Sequence, residues 1–75
     1  MKLVEVRALE LGCVPVGVLG NVVLCYRKAD GTYITWRVCI QRITGTDTYQ
    51  ADFSGGDYDM SWDAAKKNLI YRAGY

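Results

Sequence analysis

The sequence predicts an α+β domain: a four-stranded antiparallel sheet with one C-terminal helix packed on one face, in the order ββββα. Three observations predict it. Val22 to Ile40 holds two runs rich in Val, Ile, Tyr, Trp and Thr around Ala29-Asp30-Gly31, which reads as a β-hairpin. Thr48 to Ser54 alternates Tyr49, Ala51 and Phe53 with Gln50 and Asp52, the pattern of a half-buried strand. From Ser61 onward, apolar residues recur at helical spacing between a capping serine and Gly74.

The first segment, Leu3 to Leu11, is ambiguous. Val4, Val6 and Ala8 fit one face of a strand, whereas Val4, Ala8 and Leu11 fit a short helix closed by Gly12. The strand is favoured, since Leu3, Val4 and Val6 suit it and no N-cap residue precedes them. Gly12 to Gly17 then reads as a connection, because Pro15 cannot occupy a central strand position. Val18 to Lys28 is the second strand, and Gly20-Asn21 marks a bulge or bend in it.

The hairpin register depends on its turn. A two-residue Asp30-Gly31 turn places Val23, Cys25 and Arg27 beside Ile34 and Trp36. A three-residue Ala29-Asp30-Gly31 loop with a bulge places Val22, Leu24 and Tyr26 there instead. The three-residue loop is preferred, because it makes one face apolar and leaves Arg27, Thr35, Arg37 and Gln41 on the other. The third strand runs to about Arg42, Thr44 to Asp47 forms a turn, and Gly55-Gly56-Asp57 ends the fourth strand. In the last element Trp62, Ala65 and Leu69 are expected to pack on Leu24, Trp36, Val38 and Phe53. On that reading Trp36→Ala and Trp62→Ala each cost about 3–5 kcal/mol.

Seventy-five residues make one domain, 1–75, and 51% hydrophobic composition supports one small core. A chain of this size buries only about 60% of its unfolded surface, so a partner or a second copy would add stability. No run of about 18 apolar residues is present, so no membrane-spanning helix is expected. Lys2, Glu5 and Arg7 interrupt the stretch where a signal peptide needs an apolar core, which points to the cytoplasm.

Candidate chemistry is sparse. The chain has no histidine, and Cys13, Cys25 and Cys39 have no CxxC spacing, so neither a metal nor any other cofactor is expected. The cysteines read as small semi-buried residues in a reducing compartment. Ser54 and Ser61 have no base nearby, and Gly55-Gly56 before Asp57 would repel a phosphate rather than cradle it. Asp57 and Asp59 form at most a weak carboxylate pair, so the chain is not expected to be an enzyme.

Charge is unevenly spread. Residues 1–42 carry six basic and three acidic residues, residues 43–63 carry five aspartates and no base, and residues 64–75 carry three bases. The acidic block is interleaved with Tyr49, Phe53, Tyr58 and Trp62. Carboxylates with interleaved aromatics suit a basic protein surface, and the candidate contact set is Asp47, Asp57, Tyr58, Asp59 and Asp63. The plainer reading is that Phe53 and Trp62 are core and the aspartates only solvate a turn. The alternative site is Arg27, Tyr33 and Arg37 on the outer hairpin face, which would hold single-stranded nucleic acid. The near-neutral net charge of +1 weighs against it. A third reading is a structural or accessory homodimer joined through an edge strand or an exposed sheet face.

The pattern Tyr33-Ile34-Thr35-Trp36-Arg37-Val38, then Tyr49-Gln50-Ala51-Asp52-Phe53, then Asp57 to Ala65 is similar in style to small phage and mobile-element proteins, including anti-CRISPR inhibitors. The resemblance spans roughly residues 20–73 and rests on size, architecture and acidic-aromatic loops. It implies a non-enzymatic inhibitor in the host cytoplasm that blocks a nucleic-acid-guided complex. The near-neutral charge departs from the strongly acidic nucleic-acid mimics, so blocking would depend on a local patch.

Overall fold

A computed structural model describes residues 2–74. The order of elements is α1 (Lys2–Glu10), β1 (Cys13–Leu19), β2 (Val22–Arg27), β3 (Thr32–Arg42), β4 (Tyr49–Met60) and α2 (Trp62–Ala73). The strands form one antiparallel meander in the order β1-β2-β3-β4. The α+β class and the four-stranded antiparallel sheet hold. The arrangement is αββββα rather than ββββα, with a helix on each face of the sheet.

The first correction is α1, where the strand reading of Leu3 to Leu11 fails. Leu, Glu, Arg and Ala are strong helix formers, and Val4 and Ala8, one turn apart, are the residues the segment buries. A strand would have buried Val6 with them, but Val6 faces outward. The place of the missing strand is taken by β1. Pro15 lies within it, which an edge position allows because that strand has a neighbour on one side only.

The second correction is the hairpin. Arg27 pairs with Thr32, so the loop has four residues, Lys28 to Gly31. The Gly31 N–H donates to the Arg27 carbonyl at 2.9 Å, and Gly31 takes φ 72°, a left-handed conformation that suits glycine. Val23 therefore pairs with Trp36 and Cys25 with Ile34, the face assignment of the shorter turn. The preferred register assumed that one face must be polar. Instead both faces are covered, so Val22 through Leu24 and Cys25 are buried in succession, as in a strand sandwiched between two layers.

One core joins Val4 and Ala8 of α1 to Cys13, Val23, Cys25, Ile34, Trp36 and Ala51, flanked by Val38 and Phe53. The opposite face carries Leu24 and Thr35, and α2 covers it with the buried Ala65. The Ser61 side chain accepts from the Ala64 N–H at 3.3 Å, and Gly74 caps the other end of α2 with φ 85°, both as the sequence predicts. Trp62 does not enter the core. It leans on Tyr33, which in turn contacts Tyr26, with ring centroids 5.3 and 5.2 Å apart.

The third correction concerns Gly55-Gly56-Asp57, which bends the fourth strand without ending it. Arg37 pairs with Ser54, Thr35 with Asp57 and Tyr33 with Met60, so β4 carries an extra residue in each of two successive intervals. Positive φ at Gly55 (58°) and at Asp59 (59°) accompanies these bulges.

Candidate functional site

The bulged half of β4 is tied by side-chain hydrogen bonds to β2, β3 and α2. Its two bulges break the regular alternation of side chains between the faces of the sheet. Tyr58 and Asp59 lie on the α1 side and Asp57 on the α2 side, and each is held by a partner from another element.

On the α1 side, the Trp36 Nε1–H donates to the Tyr58 hydroxyl at 3.1 Å. The rings meet edge to face, with centroids 5.9 Å apart. Gly56 passes beneath this contact. A Cβ there would lie 2.5 Å from Tyr58 and 2.6 Å from Trp36 Nε1, too close to be accommodated in place. Gly56→Ala is accordingly expected to push the Tyr58 ring off Trp36 and to cost about 1–3 kcal/mol. Tryptophan fluorescence and urea denaturation measure both effects, and a variant identical to wild type in both would refute the close packing.

Beside Tyr58, the Arg27 guanidinium donates to Asp59 at 2.6 Å and to Asp30 at 2.6 and 3.0 Å. Asp30 also accepts from the Thr32 N–H at 3.1 Å and the Thr32 hydroxyl at 2.6 Å. Hydrogen bonds from Arg27 and then Thr32 hold the Asp30 carboxyl well below the usual carboxylate range, and the two carboxylates raise the Arg27 pKa. One arginine between two aspartates leaves a local net charge of −1, with Asp59 largely exposed.

On the α2 side, Asp57 accepts from Asn68 at 2.9 Å and from Arg72 at 3.4 Å. Arg72 donates to the Thr35 carbonyl at 3.3 Å and to its hydroxyl at 3.2 Å, and the Thr35 hydroxyl also bonds the Asn68 carbonyl oxygen. Asp57 is thus a clamp between β4 and α2.

The predicted contact set is only partly brought together. Tyr58 and Asp59 are adjacent on one face, Asp57 faces the other side, and Asp63 pairs with Lys66 at 3.5 Å in the first turn of α2. Asp47 lies in the turn before β4, at the opposite end of that 12-residue strand from this corner. The alternative set is divided as well. Arg27 shares a face with Trp36, whereas Tyr33 and Arg37 lie on the opposite face, and Arg27 is already paired with two carboxylates. Sequence reasoning missed Asp30, Asn68 and Arg72. Their signals were present: Asp-x-Thr favours a local turn bond, and Asn68 and Arg72 stand one helical turn apart.

The cysteines are poor nucleophiles where they are buried. Burial pushes the Cys25 thiol up to about 12 and raises that of Cys13, and all three cysteines are free. Among the described residues, no group of three or more Cys, Asp or Glu is placed to hold a metal ion, and no helix is long and apolar enough to cross a membrane.

Fold and site together define a small α+β domain whose sheet carries an acidic-aromatic corner held by cross-element hydrogen bonds. No protein-family model, no curated protein and no solved structure matches the chain.

Proposed function

We propose that this chain is a non-enzymatic protein-binding module, a phage-type inhibitor of the anti-CRISPR kind. It docks the acidic-aromatic corner of β4 on a basic surface of a nucleic-acid-processing complex. The observation that supports this reading most is the Tyr58–Asp59 pair. Asp59 is a non-glycine residue held at φ 59°, and its carboxylate is oriented by Arg27 at 2.6 Å. Uncommon backbone conformations in residues fixed from several sides concentrate at functional positions. Tyr58 beside it is half-exposed, with its hydroxyl anchored by Trp36. A pre-oriented tyrosine next to a carboxylate loses little freedom on binding and matches the composition of interface hot spots.

In this reading Tyr58 and Asp59 make the central contact, Asp30 adds charge beside them, and Asp63 lies at the margin. Asp57 supports the corner from behind. The test is a pull-down from nuclease-treated bacterial lysate with the tagged chain. The expected result is retention of a basic, nucleic-acid-processing complex, lost with Tyr58→Ala and weakened at least tenfold with Asp59→Asn. Asparagine tolerates the left-handed conformation but removes the charge. Capture that disappears on nuclease treatment, or that survives both substitutions, overturns the proposal.

A further inference from the structure

The outward face of α1 is unusual for a helix that borders solvent. Val4 and Ala8 are buried, each about 160° round the helix from Val6. Val6 therefore points away from the sheet, and it is 48% exposed, with Leu9 at 64% and Leu3 also exposed. Val16 and Val18 of β1, also exposed, line a groove with Val4 and Glu5 along one side of the helix. An apolar surface of this kind marks an interaction site.

The sequence of α1 indicates what covers it. Lys2-Leu3-Val4-Glu5-Val6-Arg7-Ala8-Leu9-Glu10 is antisymmetric in charge and symmetric in apolar character about Val6. Reflected through that residue, Lys2 maps to Glu10, Leu3 to Leu9, Val4 to Ala8 and Glu5 to Arg7. A twofold axis perpendicular to α1 at Val6 performs this mapping between two copies of the helix laid antiparallel. Val6 then meets its own copy, each Leu3 meets the partner's Leu9, and each Lys2 meets the partner's Glu10. Glu5 and Arg7 stand about 100° round the helix from Val6, on opposite flanks and outside this contact. Within one chain Arg7 approaches Glu10 only to 4.0 Å, at the limit of an ion pair, so its charge is not strongly committed. A parallel pairing in register would instead set Lys2 beside Lys2 and Glu10 beside Glu10 at the seam.

We infer that a second copy of this chain covers α1, forming an isologous dimer with α1 antiparallel to its counterpart about Val6. Apolar contact supplies the attraction, and the Lys2–Glu10 pairs set the orientation. One nine-residue helix per copy makes a small interface, so association is weak and concentration-dependent.

Sedimentation equilibrium from about 10 µM to about 1 mM tests this. The mass is expected to rise from 8.4 kDa toward twice that value. Val6→Lys, a change at an exposed position, abolishes the rise without altering the thermal melt. Lys2→Glu with Arg7→Glu makes α1 wholly acidic, and Glu5→Lys with Glu10→Lys makes it wholly basic. Each variant alone stays monomeric, whereas their mixture associates. Cross-linking reads the register: in a Cys39→Ser background Val6→Cys oxidises to a disulfide-linked dimer, and Leu3→Cys does so only when mixed with Leu9→Cys. A chain that stays at 8.4 kDa at the highest concentration overturns the inference, as does a dimer indifferent to Val6→Lys. Efficient self-cross-linking of Leu3→Cys overturns the antiparallel arrangement.

Discussion

Trp36→Ala is expected to remove about 3–5 kcal/mol, while Trp62→Ala removes no more than about 1 kcal/mol. The two tryptophans differ in what they touch. Trp36 is 6% exposed, stacks on Phe53 with centroids 5.3 Å apart, and lies in the core that includes Val4 and Ala8 of α1. Its removal leaves a cavity between the sheet and α1, and it leaves the Tyr58 hydroxyl without its donor. Trp62 is 43% exposed, and its aromatic contact is with Tyr33 at the edge of α2. A domain of this length has a total stability of roughly 4–11 kcal/mol. Urea denaturation, with a slope near 1 kcal/mol per molar, should therefore move the midpoint by about 3 M or more for Trp36→Ala. For Trp62→Ala the shift should be about 1 M or less. Equal shifts would mean that α2 shares the Trp36 core after all. Because Tyr58 depends on Trp36 for its orientation, any surviving Trp36→Ala fold should also bind the proposed partner poorly.

The difference between the tryptophans shows which parts of the fold were legible in the sequence. The alternation in β3 and the first half of β4 was readable, since Trp36, Val38, Ala51 and Phe53 do share a face. The caps of α2 were readable too, because Ser61 and Gly74 act locally. The register of β2 was not. The choice between two parities rested on the assumption that one face meets water, and Val22 to Cys25 is apolar on both sides. Only the presence of α1 explains why both sides are covered, and the Leu3 to Leu11 pattern fitted both a strand and a helix, with the local propensity of Leu3, Val4 and Val6 and the missing N-cap favouring the strand that the structure does not form. In the candidate site, Tyr58 and Asp59 were identifiable from composition. The separation of Asp57 from Asp59 was not, because it arises from two bulges in β4 and from Arg72, fifteen residues away on another element.

That separation leads to the second large expected effect: Asp57→Lys destabilises the fold by about 2–3 kcal/mol, while Asp59→Asn leaves it within about 0.5 kcal/mol. The Arg72 side chain is only 11% exposed and that of Asp57 is 51% exposed, so solvent screens the pair partially. Removing the carboxylate leaves Arg72 without its counter-ion beside Thr35, the buried polar residue of the sheet, and it removes the acceptor for Asn68. A lysine adds a second cation facing the first. The net result loosens α2 from the bulged half of β4 and carries Tyr58 with it. Asp59 has no such role, since Arg27 keeps Asp30 when Asp59 is neutralised. Thermal melts of the two variants, run beside the pull-down, separate a support from a contact. A partner lost with Asp59→Asn at unchanged melting, and lost with Asp57→Lys only along with lowered melting, supports the division of roles. If instead Asp57→Lys melts like the wild type and still loses the partner, Asp57 is itself a contact and the clamp to α2 carries little of the fold's stability.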